Sequence, residues 1–144
     1  MKNGSDFNGT SFLDVEHLKY LYMSPQGRIN RQRIWIGGLL LGLSMIPVVI
    51  LFLILAQIGS FLGTIGGLIY FAAIIGVSIA DIMLYIKRAH DRNHTGWYIL
   101  LTMIPFIGII WSIELLFFKG TEGTNQYGED PRYLLTVQPS GDQP

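Results

Sequence analysis

Lys87-Arg88-Ala89-His90-Asp91-Arg92-Asn93-His94-Thr95-Gly96-Trp97 is the only dense charged and polar stretch within a long apolar block. Residues 34–86 before it carry one charge, Asp81, and residues 97–118 after it carry one, Glu114. A helix on a soluble core is apolar on one face, whereas these blocks are apolar all round, which is the pattern of membrane spans. Half of the 144 residues are hydrophobic, 14% are charged and the mean hydropathy is +0.41. A soluble domain carries about 25% charged residues. The fold class this predicts is an all-α membrane protein.

Working outward, residues 34–86 as one helix would be about 80 Å long, far beyond a hydrocarbon core of ~30 Å. The block must fold back. Its most polar point, Gln57-Ile58-Gly59-Ser60, is also near its midpoint. Spans near 34–57 and 61–86 then form a tight hairpin, with a kink expected at Pro47. A third span is expected over 97–118. There Pro105 and Gly108 allow a bend, with a re-entrant shape as the alternative. The organisation expected is a disordered segment 1–10, an amphipathic helix and basic juxtamembrane segment 11–33, a membrane domain 34–118 and a polar tail 119–144.

The interfacial helix is expected over Ser11 to Met23, capped by Ser11 with Asp14 in the capping-box position. Its apolar face is read as Phe12, Val15, Leu18 and Tyr22, and Pro25 and Gly27 end it. Four-residue spacing of Gly38 with Gly42, of Gly59, Gly63 and Gly67, and of Gly76 with Ala80 predicts close helix packing. That packing is either within the hairpin or in a homo-oligomer. The first thirty residues lack an apolar h-region, so no cleavable signal peptide is expected. Counting basic residues outside three spans puts the N-terminus and the loop 87–97 in the cytoplasm and the C-terminus on the periplasmic or extracellular side.

Asp81 is an intramembrane carboxylate, which costs about 2.5–3.5 kcal/mol at mid-bilayer and less near an edge. Its expected partner is Arg88, two turns on, with Arg28 or Arg33 second. A structural ion pair is weighed there against a proton or ion role. Glu114 is expected to pair with Lys119, near the membrane face opposite Asp81. His90, Asp91 and His94 raise metal and acid–base readings. Asn93 and Gly96 end the helix that would align the two histidines, so no metal is expected. No nucleophile or second base completes a reaction, so no enzyme is expected. The residue-level expectation is a polar knot in which Asp91 accepts hydrogen bonds from arginines and Trp97 seats at the interface. Arg28, Arg31, Arg33, Lys87, Arg88 and Arg92 form a rim suited to anionic lipid head groups. The absence of cysteine excludes disulfides and thiolate chemistry. A net charge of zero gives no global attraction to nucleic acid or anionic lipid, and no nucleic-acid partner is expected; nothing implies a cofactor.

Three segments together resemble a bacterial inner-membrane family, domain of unknown function 805. They are Gly27-Arg28-Ile29-Asn30-Arg31 before Trp35, then Arg88 to Trp97, then Gly120-Thr121 with Asn125-Gln126-Tyr127-Gly128-Glu129-Asp130-Pro131. The family reads G-R-[IL]-x-R-x-x-[FY]-W, R-R-L-H-D-x-x-x-S-G-W-W and N-x-[YF]-G-x-D-P. Here Lys87 replaces the first arginine of the pair, Ala89 a leucine, Thr95 a serine, Tyr98 the second tryptophan and Ile34 an aromatic. The resemblance covers roughly residues 20 to 132 and implies an inner-membrane location without an established activity. It also poses a problem. Three spans put Asn125, Tyr127, Gly128, Asp130 and Pro131 on the face opposite the other two motifs.

The function expected from these observations is a non-enzymatic scaffold or accessory protein. Its head-group or partner-binding residues would be Arg28, Arg31, Arg33, Arg88, His90, Asp91 and Trp97. The alternatives are a small oligomeric transporter or channel component using Asp81 and, last, a membrane-surface enzyme using His90 and Asp91.

Overall fold

A computed structural model of the protein describes residues 13–132. In chain order the elements are α1 (Val15–Met23), α2 (Arg31–Ile58), α3 (Ser60–Asp91), a 3-10 segment (Gly96–Met103) and α4 (Ile107–Phe117). Among the described residues the only extended pairing is one bridge between Asn125 and Gly128.

The apolar block folds back at Gly59, which alone separates α2 from α3. α2 has 28 residues and α3 has 32, about 42 and 48 Å at 1.5 Å per residue, each more than the ~30 Å needed to cross. Only 6% of the most apolar window of each helix is buried within the protein. Leu39, Ile46, Leu53 and Phe61 are each more than half exposed. Surface this apolar and this open belongs in hydrocarbon rather than in a soluble core.

Small residues let the hairpin close near its turn. A Cβ on Gly63 would lie 3.3 Å from the Ala56 Cα, and one on Gly66 3.2 Å from Leu55. Gly38, Gly42 and Gly76 meet open space instead. Pro47 lies within α2.

The stretch Trp97 to Phe118 is not one helix, contrary to the sequence expectation. It divides into the 3-10 segment of 8 residues and α4 of 11 residues. Each is about 16 Å long by its rise per residue, half of what a crossing requires. The physical reason lies at Ile104-Pro105-Phe106. Proline cannot continue a helix, and Phe106 takes φ +65°, a left-handed conformation rare outside glycine. Two backbone bonds nevertheless close the turn. Ile107 N–H donates to the Pro105 carbonyl at 2.8 Å, and Gly108 N–H to that of Ile104 at 2.7 Å.

α1 also differs in detail. Asp14 rather than Ser11 caps it, accepting from the Glu16 N–H at 2.9 Å. Ser11 and Phe12 lie outside the described residues. Its buried face is His17, Tyr20 and Leu21, whereas Val15 is exposed. That face packs with Ile29, Ile34 and Leu84 into a small core where α1 meets the start of α2 and the end of α3. Tyr22 donates to the Gly37 carbonyl at 3.0 Å and pins α1 to α2. The segment expected to be disordered, 1–10, lies outside the described residues, as does the polar tail from 133 on.

Candidate functional site

The site is built around the Asp91 carboxylate at the last position of α3, 1% exposed. Arg28, from the loop between α1 and α2, donates to Oδ1 from Nε at 3.2 Å and from Nη2 at 3.1 Å. Arg88, one turn earlier on α3, pairs with Oδ2. Both guanidinium groups are fully buried.

Burying ions costs several kcal/mol each unless their remaining donors and acceptors are satisfied. Here they are. Arg28 Nη1 donates to the carbonyls of Gly123 at 2.7 Å and Gly128 at 3.1 Å. Its Nη2 reaches the Thr121 carbonyl at 2.6 Å. Thr121 returns two bonds to the Asp91 carbonyl, from its N–H at 2.8 Å and its hydroxyl at 2.9 Å. Asn125 donates to the His90 carbonyl at 2.9 Å. The C-terminal end of α3 is thus capped by the segment 121–128, which bonds the carbonyls of His90 and Asp91 from side chain and backbone.

His90 stacks on Tyr127, with centroids 3.9 Å apart and planes 4° apart. Its Nδ1 lies 3.2 Å from the Gly27 carbonyl. A carbonyl only accepts, so Nδ1 carries the proton.

A second set of bonds closes α4 onto the spans. The last carbonyls of a helix lack internal partners and form its negative end. Arg88 Nε donates to the Leu115 carbonyl at 2.6 Å, Trp35 Nε1 to Leu116 at 3.3 Å and Arg31 to Phe117 at 2.9 Å. Arg88 also reaches the Phe118 carbonyl, and Arg92 that of Lys119. Trp35 packs edge-on against Phe117 with centroids 5.5 Å apart. At α1 the same solution recurs, where Lys87 donates to the carbonyls of Tyr20 and, at 2.8 Å, Leu21.

All three sequence motifs therefore meet at one end of the molecule. The segment Asn125–Pro131 is in direct contact with Arg28 and His90. This corrects the expectation that the C-terminal segment lies on the face opposite the N-terminal one. The cause is the break at Pro105, which returns the chain to the end it left.

Two other pairings differ. Arg88 and Arg28 are committed to Asp91, so neither pairs with Asp81. Glu114 pairs with Arg92 rather than Lys119 and stands at the clamped end, because α4 runs back toward it. Arg33 is buried in the first turn of α2. Trp97 is 79% exposed and outside the cluster. His94 stacks on Tyr98 with centroids 4.6 Å apart and meets Trp111 edge-on, so the two histidines face different rings. Among the described residues no three potential metal ligands come together.

Sequence reasoning placed Lys87 in the basic rim rather than on the α1 carbonyls, and passed over Gly120, Thr121 and Arg132 as site residues. A Cβ on Gly120 would fall on the Asp91 carboxylate, so only glycine fits. The available signal for Gly120 and Thr121 was their place in the third motif. Arg132 carried none beyond its charge.

Asp130 is a buried anchor of the C-terminal turn. Burial opposes its charge, but Arg132 and the N–H groups of Arg132 and Gly123 hold it below the ordinary carboxylate value. A depressed folded-state value contributes stability above the unfolded value, near 4, and loses it as pH falls through the folded value. Protection of the Gly123 and Arg132 amides, taken against the intrinsic exchange rate at each pH, should therefore persist at neutral pH and fall below about pH 4. Unchanged protection there would remove Asp130 from this role.

Beside the clamp is a cleft of about 210 Å³ lined by Asn30, Arg31, Gln32, Arg88, Asp91, Gly120 and Arg132. Arg28 and Arg88 use every guanidinium nitrogen on protein partners. Arg31 is exposed and engages the clamp through Nη1, which donates to the Phe117 carbonyl.

The sequence matches the family described as "Protein of unknown function (DUF805)" over residues 22–129. The chain belongs to that family. It is 31% identical over 114 residues to the inner membrane protein YhaI of Escherichia coli (strain K12), covering 78% of this chain and 89% of YhaI. It is 44% identical over 48 residues to the inner membrane protein YhaH of the same organism, covering 32% of this chain and 38% of YhaH. No solved structure matches it.

Proposed function

We propose that this DUF805 protein is an integral inner-membrane protein with two full spans, α2 and α3, and a re-entrant pair formed by the 3-10 segment and α4. Its clamped end faces the cytoplasm and binds anionic lipid head groups. The inner-membrane location is supported by the names of YhaI and YhaH and by the exposed apolar length of α2 and α3. All ten lysines and arginines lie outside residues 34–86 and 93–118. A re-entrant pair gathers those flanking the spans at one end and leaves the turn at Gly59 bare. By the positive-inside rule the clamped end is then cytoplasmic, with the described N- and C-terminal segments together.

The observation that carries the binding role is the cleft lined by Arg31 and Arg132, with Asn30 and Gln32 beside them. Arginine forks suit phosphate oxygens, and basic pockets at the ends of spans hold lipid phosphates. Arg28 and Arg88 serve as the clamp rather than as ligands. No reaction is assigned, because both Asp91 oxygens are engaged by arginine and His90 is stacked. The role is that of a scaffold or accessory protein. Gly38, Gly42 and Gly76 meet open space and offer the surface for a second copy.

Delipidated protein should retain phosphatidylglycerol in preference to phosphatidylcholine when reconstituted in a mixture, as read by native mass spectrometry. Arg31→Gln should reduce that preference about fivefold, the equivalent of roughly 1 kcal/mol per basic residue near the surface. Equal retention of both lipids by the wild type, or no change in the variant, would overturn the reading.

A further inference from the structure

Asp81 is left over by the clamp. Arg88 and Arg28 are held by Asp91 and by the backbone carbonyls after α4 and at its end, and Asp81 makes no hydrogen bond or ion pair among the described residues. It lines a cavity of about 440 Å³ between α3 and the re-entrant pair, with Tyr85, Ile99, Met103 and Ser112 among the walls. Asp81 and Tyr85, four apart on one face of α3, also line a second cavity of about 260 Å³ on the α2 side, which Trp35 and Leu116 share. The carboxylate and the phenol ring thus stand between two apolar chambers within the span.

A carboxylate in hydrocarbon is costly, and one that keeps no partner marks a functional site. Ligand sites of small molecules are mostly apolar cavities of about 300–1,000 Å³ with a few placed polar groups. An aromatic face within reach of a cation adds attraction that grows when water is excluded. One anion, one aromatic ring and apolar walls together select a particular ligand class.

We propose that the chamber at Asp81 and Tyr85 binds a lipophilic monovalent organic cation, the charge against Asp81 and Tyr85 and the apolar body against Ile99 and Met103. The site is separate from the lipid cleft at Arg31 and does not depend on it.

The test uses the full chain in nanodiscs of phosphatidylcholine, with radiolabelled tetraphenylphosphonium as probe and empty nanodiscs as background. Saturable binding above background is expected. Asp81→Asn should weaken it about tenfold or more, and Tyr85→Leu about fivefold. Uncharged triphenylphosphine oxide, of similar shape, should not displace the cation from the wild type. That last comparison needs no substitution, so it holds if Asp81→Asn fails to fold. Binding no greater than in empty nanodiscs, equal binding by a folded Asp81→Asn, or displacement by the neutral probe would each overturn the proposal.

Discussion

Asp91→Ala is expected to be the most damaging single substitution in the described chain. It leaves two guanidinium groups buried with no counter-charge, and removing one partner of a buried ion cluster costs about 3–5 kcal/mol. It also removes the carboxylate that holds Arg28 in place against the carbonyls of the segment 121–128. The protein in detergent should melt at a clearly lower temperature, and the chain beyond Phe117 should become a protease target.

A second variant separates lost charge pairing from lost shape. Replacing Arg28 by Met and Asp91 by Leu together removes an opposite pair, so less buried charge is left stranded. The double variant should be more stable than the sum of the two single variants predicts. Additive losses, or a wild-type melting temperature for Asp91→Ala, would mean that the cluster is not holding the end of the molecule together.

Gly108→Ala is the second large effect. A Cβ there would strike the backbone of Thr102, and a carbonyl cannot swing aside as a side-chain tip can. Overpacking of this kind costs about 1–3 kcal/mol. Here the strain falls on the contact that lets α4 fold back against the 3-10 segment. Gly38→Ala is the control, because that glycine meets open space and sits within a helix, where alanine is favoured. Gly108→Ala should lower the melting temperature and Gly38→Ala should not. Equal behaviour would mean that the re-entrant turn tolerates opening.

The spans were legible because their signal is composition. Residues 34–86 hold one charge, and only a fold at Gln57 to Ser60 fits them into a bilayer. The third apolar segment was not, because hydropathy averages over Pro105 and Phe106. The break depends on a left-handed residue that no window of apolar residues reveals. The misplacement of the C-terminal motif follows from that one misread turn. Once Trp97 to Phe118 is taken as a crossing, Asn125 must lie far from His90.

The first partners of Asp81 and Glu114, Arg88 and Lys119, were assigned along the sequence, at helical spacing. The structure pairs across it, since Arg88 reaches the end of α4 and Arg92 reaches Glu114. Long-range pairings of this kind leave no local pattern. The motifs themselves were visible. What they are for was not, because Arg28, Arg31, Trp35, Arg88 and Arg92 act on backbone carbonyls, which every sequence contains.

The clamp and the re-entrant pair stand or fall on which side of the membrane Glu122 lies. The chain has no cysteine, so single cysteines at Gln26, Ser60 and Glu122, all exposed, can be labelled in intact cells with an impermeant thiol reagent. Reaction at Ser60 alone, with Gln26 and Glu122 protected until the membrane is opened, is the result predicted. Labelling of Glu122 together with Ser60 while Gln26 stays protected would show that residues 97–118 cross the membrane, and that Arg28 and Asp91 cannot be joined to the C-terminal motif.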